Sequence, residues 1–245
     1  MARDQAYYEA EKKIEEARLS GATELDLVGL GKEKLTELPE SIGQLTRLQS
    51  LNIFHNKLKK LPDTLGSLSN LQSLLLGDNQ LTVLPEWLGQ FTQLQVLDIS
   101  SNKLETFPKS LVQLIQLQSL SLRNNSLIAL PEALGQLTQL QSLNLRNNSL
   151  TALPESMGEL LQLKSLDISY NQLFTLPKSL EQLAQLQSLN LHYNQITILP
   201  ALIGQLRQLQ SLDISNNELT RLDSLRHLTQ LQSLNVSNNQ LLSVS

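Results

Sequence analysis

The sequence predicts an α/β solenoid, in which one short strand-and-turn unit recurs every 23 residues, and three observations support this. All eight prolines, Pro39–Pro200, keep that spacing without a slip. An asparagine series, Asn56–Asn217, keeps the same period. Between these markers apolar residues alternate, as at Leu51 and Ile53, which is typical of a strand with one buried face. Because stacked repeats grow as one array, the 245 residues predict one solenoid rather than two unrelated domains.

Each part of the unit has a predicted structural role. The asparagine follows the strand, where its amide can satisfy backbone groups in a tight buried turn. The proline then begins a short helical return segment at a position where its missing N–H costs nothing. Acidic residues follow five prolines, where negative charge suits the positive end of a helix. Glycine stands four residues after six prolines, and Val112 and Glu181 take its place in the other two units. Strands that recur in this way must pair in parallel.

The N-terminal segment differs from the repeats. A helix is predicted from about Asp4 to Leu19, because Tyr7, Ala10, Ile14 and Ala17 share one face at helical spacing. We expect residues 1–21 to form a capping helix and residues 22–245 to form the solenoid, with about ten strands and an incomplete last repeat. A docking helix is the alternative. The first repeat carries a loop, residues 29–35, that is three residues longer than in the other units.

The last repeats also depart from the pattern. Asp223 stands where the proline series predicts its next member, and that unit is one residue shorter. No polar cap follows, so Leu241, Leu242 and Val244 are expected to be exposed. Such an open edge predicts either a continuation in a longer protein or contact with a partner, including a dimer formed through this edge.

Composition narrows the possible functions. The net charge is −4 with scattered Lys and Arg, which argues against a nucleic-acid partner or an acidic membrane surface. The chain has no cysteine, its first 20 residues lack the apolar core of a signal peptide, and no apolar run approaches the ~20 residues of a membrane span. These features predict a cytoplasmic protein.

No motif for catalysis or cofactor binding is present. The phosphate-binding, dinucleotide-binding, zinc-protease and serine-hydrolase patterns are all missing. His55 and His192 lie six predicted strands apart, about 29 Å, too far to share a metal or a proton. We therefore expect a non-enzymatic protein with no cofactor and no metal site.

The outward strand positions supply the candidate binding residues. Their background is Ser and Asn, so larger or charged side chains mark possible contacts with a protein partner. One cluster lies in the early repeats and another spans four later strands. The predicted partner-binding residues are Phe54, His55 and Leu75 in the first cluster, and Arg123, Arg146, Tyr170, His192 and Tyr193 in the second.

A purely structural interpretation of these residues is also open. Arg123 and Arg146 could pair with Asp98 and Asp167 as solvated ion pairs worth ~0–1 kcal/mol each. Tyr170 and Tyr193 could pack on each other, and Trp87, after Pro85, is expected to serve packing on the other side of the repeat.

The complete unit, LxxLxLxxNxLxxLPxxLGxLxx, resembles the leucine-rich repeat consensus over roughly residues 22–245. That resemblance implies a leucine-rich repeat horseshoe, with a parallel β-sheet on the concave face and short helical or 3-10 turns on the convex face. It also implies a protein–protein interaction scaffold that binds its partner on the concave face.

A narrower resemblance suggests the kind of protein to which the repeats belong. SGATELDLVGL and LTELPESIGQLTRLQSL are similar to the arrays that precede the GTPase module in bacterial Roco-type proteins, and to plant intracellular Ras-group repeats. This implies the recognition arm of an intracellular signalling protein, with no nucleotide binding by this chain. One alternative is a bacterial effector or ubiquitin-ligase substrate-recognition domain, although those arrays have shorter repeats with two prolines per unit. The other is self-assembly through the open C-terminal edge.

Overall fold

Each repeat consists of a three-residue strand and a five-residue 3-10 helix. The computed structural model describes residues 5–30 and 34–242, and the chain falls into two compact units, Met1–Ser121 and Leu122–Ser245. The first unit begins with helix α1, Gln5–Ser20. Its strands are β1 Glu24–Asp26, β2 Ser50–Asn52, β3 Ser73–Leu75, β4 Val96–Asp98 and β5 Ser119–Ser121, and its 3-10 helices are Glu40–Gln44, Asp63–Ser67, Glu86–Gln90 and Lys109–Gln113.

The second unit repeats the same elements. Its strands are β6 Ser142–Asn144, β7 Ser165–Asp167, β8 Ser188–Asn190, β9 Ser211–Asp213 and β10 Ser233–Asn235. Its 3-10 helices are Glu132–Gln136, Glu155–Glu159, Lys178–Gln182, Ala201–Gln205 and Asp223–His227. Within each unit neighbouring strands pair in parallel and in chain order, from β1 to β5 and from β6 to β10. The predicted fold class is therefore confirmed.

The register of pairing aligns equivalent positions of successive repeats. Leu51 pairs with Leu74 in the first unit, and Leu166 pairs with Leu189 in the second. In β2 to β9 the central leucine is buried and its two neighbours are more exposed. We call the side on which those neighbours lie the open face of the sheet. Every outward column therefore holds residues from one place in the repeat.

The buried asparagines connect successive repeats. Asn171 donates its side-chain N–H groups to the carbonyl oxygens of Leu145 and Ile168, both at 3.0 Å, and accepts the backbone N–H of Leu150 at 3.0 Å. The same pattern recurs at Asn79 and at Asn194. The asparagine series satisfies backbone groups that would otherwise be buried without partners.

The prolines lie one position earlier than predicted, whereas the acids lie in the first turn of their helices as predicted. Each proline of the series lies just before its 3-10 helix, in the N-cap position, and not inside the first turn. Two of the acids that follow also bond the backbone of the next repeat. Glu132 accepts the backbone N–H of Ser156 at 3.0 Å, and Glu155 accepts that of Ser179 at 3.2 Å. These acids therefore link neighbouring turns.

Helix α1 packs on the first repeat. It begins at Gln5, and the predicted start at Asp4 lies outside the described residues. Ala6 and the four residues predicted to share one face are buried, whereas Leu19 is 72% exposed. Lys13 donates to the backbone oxygen of Asp26 at 3.0 Å, and Ser41 donates to Glu11 at 2.8 Å. The role of this helix as a cap remains a prediction.

Trp87 serves packing. Its ring lies against Gly66, its indole N–H donates to Asp63 at 3.1 Å, and its ring centroid is 5.7 Å from that of Phe91.

The last strand is the most exposed. Leu234 in β10 is 47% exposed, and Leu241 and Leu242 are 40% and 65% exposed. Val244 and the loop residues 31–33 lie outside the described residues.

Candidate functional site

The turn after each strand forces one residue into the left-handed backbone region. This residue precedes the ladder asparagine, and it has a positive φ in every repeat from His55 to Asn238. Asn and Asp adopt this conformation at lower cost than bulky residues. The second unit nevertheless places Tyr170 and Tyr193 there, with φ of 55° and 57°. Two adjacent tyrosines therefore stand where the local backbone favours asparagine.

These tyrosines form the centre of a three-membered stack on the open face. The Tyr170 and Tyr193 ring centroids are 5.1 Å apart, and the ring planes differ by 11°. The Arg146 guanidinium carbon lies 4.4 Å from the Tyr170 ring centroid, within the range of a cation–π contact. Tyr193 ends the stack and is 56% exposed. The site thus presents a large, preordered aromatic surface to solvent.

His192 fixes the position of this stack. Its Nε2 is 3.3 Å from the Tyr170 hydroxyl, and its ring centroid is 5.0 Å from the Tyr170 ring centroid. Its Nδ1 is 2.7 Å from the Ser215 hydroxyl, which itself donates to Asp213 at 2.5 Å. Because that hydroxyl proton is already used, the geometry favours a proton on Nδ1 and leaves Nε2 to accept from Tyr170.

Asp213 and Ser215 belong to the same network, although no sequence argument singled them out. Burial on its own would raise the pKa of the Asp213 carboxyl. Hydrogen bonds from the Ser215 hydroxyl and backbone N–H, a bond from the Asn235 amide, and the nearby His192 outweigh burial and hold that pKa below its usual value. The sequence signal for this network was the Asp-Ile-Ser segment at residues 213–215, which also occurs at residues 167–169, two repeats earlier.

One expectation about the outward columns is wrong. Ser169 and Ser215 occupy the same place in the repeat as Arg123 and Arg146, which was predicted to be an outward position, but both serines are fully buried. Their hydroxyl groups donate to Asp167 at 2.6 Å and to Asp213 at 2.5 Å. A small polar residue at this position can therefore fold back onto the strand, beneath the larger side chains of a neighbouring repeat.

The arginine positions behave differently from each other. Arg146 contacts Tyr170 and donates to the Ser169 hydroxyl at 3.4 Å; among the described residues it makes no ion pair with Asp167. Tyr170 and Tyr193 do pack on each other, as the purely structural interpretation proposed. Arg123 occupies the equivalent position one repeat earlier and is exposed.

The early cluster lies in the first unit. The Phe54 ring is 38% exposed, and His55 stacks on it with a centroid separation of 6.3 Å. His55 pairs with Asp78, and its Nδ1 is 3.2 Å from the Lys34 ammonium group. Leu75 is half-buried in β3. The charged groups of this cluster already have partners within the unit.

Gly77 explains why Phe54 lies flat on the sheet. A β-carbon at Gly77 would be 2.7 Å from the Phe54 ring, so the absence of a side chain makes room for that ring. Sequence reasoning missed Gly77, Asp78 and Lys34. Gly77 was detectable, because it is the only glycine at its place in the repeat.

The described residues offer neither a metal site nor a membrane-spanning helix. No group of three or more His, Asp or Glu side chains that could hold a metal ion occurs within residues 5–30 and 34–242. In the same part of the chain, no helix combines the length and apolar character needed to cross a membrane.

Comparison with protein families agrees with the repeat pattern. The model described as "Leucine-rich repeat region" matches residues 7–123, "Leucine Rich repeats (2 copies)" matches residues 115–156, and "Leucine rich repeat" matches residues 138–196 and 197–241. Together these matches run from residue 7 to residue 241. No curated protein matches the chain significantly.

Solved structures with the same fold include bacterial and plant proteins. A leucine-rich repeat protein of Leptospira interrogans is 37% identical, with a TM-score of 0.88 over 94% of this chain and 59% of its own. The ectodomain of the Arabidopsis thaliana receptor kinase GASSHO1/SCHENGEN3, solved with CASPARIAN STRIP INTEGRITY FACTOR 2, is 32% identical, with a TM-score of 0.67 over 84% of this chain and 32% of its own. The plant peptide hormone receptor RGFR1, solved with RGF2, is 30% identical, with a TM-score of 0.73 over 92% of this chain and 41% of its own. This chain thus spans less than two thirds of each.

Proposed function

Since this chain is a leucine-rich repeat protein, with family matches that together run from residue 7 to residue 241, we propose that it is a non-enzymatic scaffold that binds a protein or peptide partner. The partner lies on the open face of the second unit, which corresponds to the expected concave face. Arg146, Tyr170, His192 and Tyr193 make the main contacts, with Arg123 beside them. Phe54, His55 and Leu75 form a secondary contact region.

One observation carries this proposal. Tyr170 and Tyr193 hold a backbone conformation that disfavours bulky residues, yet they stack in neighbouring repeats and leave Tyr193 56% exposed. Strained, exposed aromatic residues on a rigid element are typical of binding sites. Packing alone gives no reason to keep tyrosine where Asn216 and Asn238 serve in the later repeats. Two of the similar solved structures are named as complexes, and one of these is a plant peptide hormone receptor in complex with RGF2.

The test uses the background residues of the repeat itself. A displayed library of random dodecapeptides is selected on the intact protein, and the retained peptides are titrated against the triple variant Tyr170→Ser, His192→Ser, Tyr193→Asn. We expect the triple variant to bind roughly tenfold more weakly or worse, since aromatic residues at the centre of an interface dominate its affinity. The matched control is Phe174→Ser, because Phe174 is an aromatic residue of the same unit that is 55% exposed and lies outside both clusters. Unchanged affinity in the triple variant would exclude the proposed site.

The proposal also includes a cellular setting. We place the chain in an intracellular, cytoplasmic signalling protein of the bacterial Roco type, as its recognition arm. The support is the resemblance of residues 20–30 and 35–51 to such arrays. Immunoprecipitation of the endogenous protein, followed by mass spectrometry, tests this. A GTPase module, in the same polypeptide or bound to it, is the expected result, and recovery from the secreted fraction alone would contradict it.

Self-association is a second candidate, and the last strand favours it. Leu234 is 47% exposed, whereas the leucines paired along β6 to β9 are at most 1% exposed. Light scattering over a hundredfold concentration range tests this role. A dimer that dissociates in a Leu234→Asp variant supports it, and a monomer at every concentration excludes it.

A further inference from the structure

The aromatic stack of the second unit has unlike ends. At one end the Arg146 guanidinium covers the Tyr170 ring at 4.4 Å. At the other end the Tyr193 ring is stacked on Tyr170 and is 56% exposed. A planar cation thus closes the stack on one side, and an aromatic ring faces solvent on the other.

The repeat that adjoins the exposed end carries a carboxylate. The Tyr193 backbone N–H donates to the Ser215 carbonyl oxygen at 3.0 Å, so the repeat that carries Ser215 adjoins Tyr193. Asp213 Oδ1 accepts the backbone N–H of Ser215 at 2.9 Å and its hydroxyl at 2.5 Å. Among the described residues, Asp213 Oδ2 accepts one bond, from the Asn235 amide at 3.3 Å, and the Asp213 side chain is 34% exposed. A carboxylate oxygen accepts about two bonds, so Oδ2 has capacity for another donor.

The charges of this face are divided between its two sides. Arg123 and Arg146 lie at the positions before β7, whereas Asp167 and Asp213 lie on β7 and β9. His192 Nδ1 is 4.0 Å from Asp213, and its side chain is 23% exposed. The exposed end of the stack is therefore the acidic side of the face, which complements a basic group.

We infer that Tyr193 and Asp213 together bind an arginine side chain of an extended peptide segment in the partner. This inference rests on the proposed function, because it names the chemistry of the residue that the same site recognises. A guanidinium stacks on an aromatic face and also donates in its own plane to a carboxylate. Lysine lacks the planar group, and a neutral aromatic residue would leave the remaining hydrogen-bonding capacity of Asp213 Oδ2 unused. The contact of Arg146 with Tyr170 is an example of the stacking part of this arrangement within the fold.

The experiment starts from peptides retained in the library selection described above. The arginine of each retained peptide is replaced by citrulline, which keeps the shape and removes the charge. We expect binding to fall about tenfold with citrulline, and by a similar factor in the protein variant Asp213→Asn, as cation–π and charged hydrogen bonds both weaken. Asn235 and Asn190 show that asparagine fits this place in the repeat.

The control is Asp98→Asn in the first unit. Asp98 accepts the backbone N–H of Ser100 at 2.8 Å, as Asp213 does with Ser215, but it has no neighbouring tyrosine stack. The inference would be overturned if the retained peptides contain no arginine. It would also be overturned if arginine peptides bind equally well after replacement by citrulline and to the Asp213→Asn variant. Either outcome would leave the proposed function standing. Selection of no peptide that discriminates the intact protein from the triple variant would overturn both.

Discussion

At the scale of single residues, the molecule separates positions that the backbone needs from positions that are free to vary. The ladder asparagines are needed, since each joins the backbone of two repeats. The residue before each asparagine must accept a positive φ, and only there do tyrosines replace the favoured Asn. Tyr170 and Tyr193 therefore stand where the repeat tolerates a local cost, and not where it gains stability.

The Asp213 carboxyl should make stability depend on pH. Its pKa is lower in the folded chain than its ordinary value, so its contribution is complete above the pKa of an unfolded Asp, about 4, and disappears as the pH falls through the lower folded pKa. Removal of the charge with Asp213→Asn should reduce the loss of Tm between pH 6 and pH 3. Thermal melts at each pH measure this, with Glu218→Gln as the exposed control. Parallel curves for the wild type and Asp213→Asn would contradict the assignment.

At the scale of elements, each turn is held by its neighbours more than by its own sequence. The 3-10 helices have five residues and lack side-chain caps of their own. Instead, Glu132 and Glu155 bond the backbone of the following turn. Local helix rules placed these acids in the first turn correctly, but they did not predict the bonds to the next turn, because those bonds join sequence positions 24 apart.

Loss of a ladder asparagine should be costly. Asn171→Ala would leave the Leu150 N–H and the Leu145 and Ile168 carbonyl groups without this partner. We expect a loss of about 2–4 kcal/mol in the free energy of unfolding, because buried unsatisfied groups cost ~1–3 kcal/mol each and water restores part of this. The adjacent, exposed Gln172→Ala is the control and should change stability by less than about 0.5 kcal/mol. Urea unfolding compares the two; equal losses would show that the ladder contributes little.

The glycines of the 3-10 helices should differ in how well they tolerate replacement by alanine. A β-carbon at Gly158 would be 2.5 Å from the Ser179 carbonyl oxygen, so the backbone must shift. A β-carbon at Gly66 would meet the Trp87 ring at 3.2 Å, and that side chain can adjust. Gly158→Ala is expected to cost about 1–3 kcal/mol, whereas Gly66→Ala should be near neutral, because alanine also restricts the unfolded chain. The guanidinium chloride concentration at the midpoint of unfolding, measured for each variant, tests this prediction. A larger loss of stability in Gly66→Ala than in Gly158→Ala would refute the steric explanation.

The sequence predicted periodic features well and side-chain contacts between repeats poorly. The 23-residue period was sufficient to assign the strands, their parallel pairing and the buried leucines, since each follows from one repeated unit. The tyrosine and arginine positions were also detectable, as departures from the Ser–Asn background. The burial of Ser169 and Ser215 was not detectable, because it depends on hydroxyl bonds to Asp167 and Asp213 and on what a neighbouring repeat places above them. The packing of Phe54 over Gly77 was missed for the same reason.

At the scale of the whole molecule, stability should be distributed along the chain as a sum of contacts between neighbouring repeats. In the second unit those contacts weaken toward β10. Leu189 and Leu212 are 1% exposed, whereas Leu234, which pairs with Leu212, is 47% exposed. The apolar surface removed from water by the last strand is correspondingly small, so β10 should be the first strand of this unit to open.

Substitution of two paired leucines tests this gradient. Leu212→Ala should cost about 2–5 kcal/mol, the usual range for a buried leucine that leaves a cavity. Leu234→Ala removes the same atoms from a half-exposed position and should cost less than about 1 kcal/mol, because little transfer energy and no closed cavity are involved. Hydrogen exchange measured strand by strand is the suitable method, since repeat arrays need not unfold in one step. Protection should decrease from β8 to β10 in the wild type, and Leu212→Ala should lower it in β9 and β10 before β7. Equal costs at the two leucines, or uniform protection through β10, would mean that the last strand is held as firmly as the interior ones.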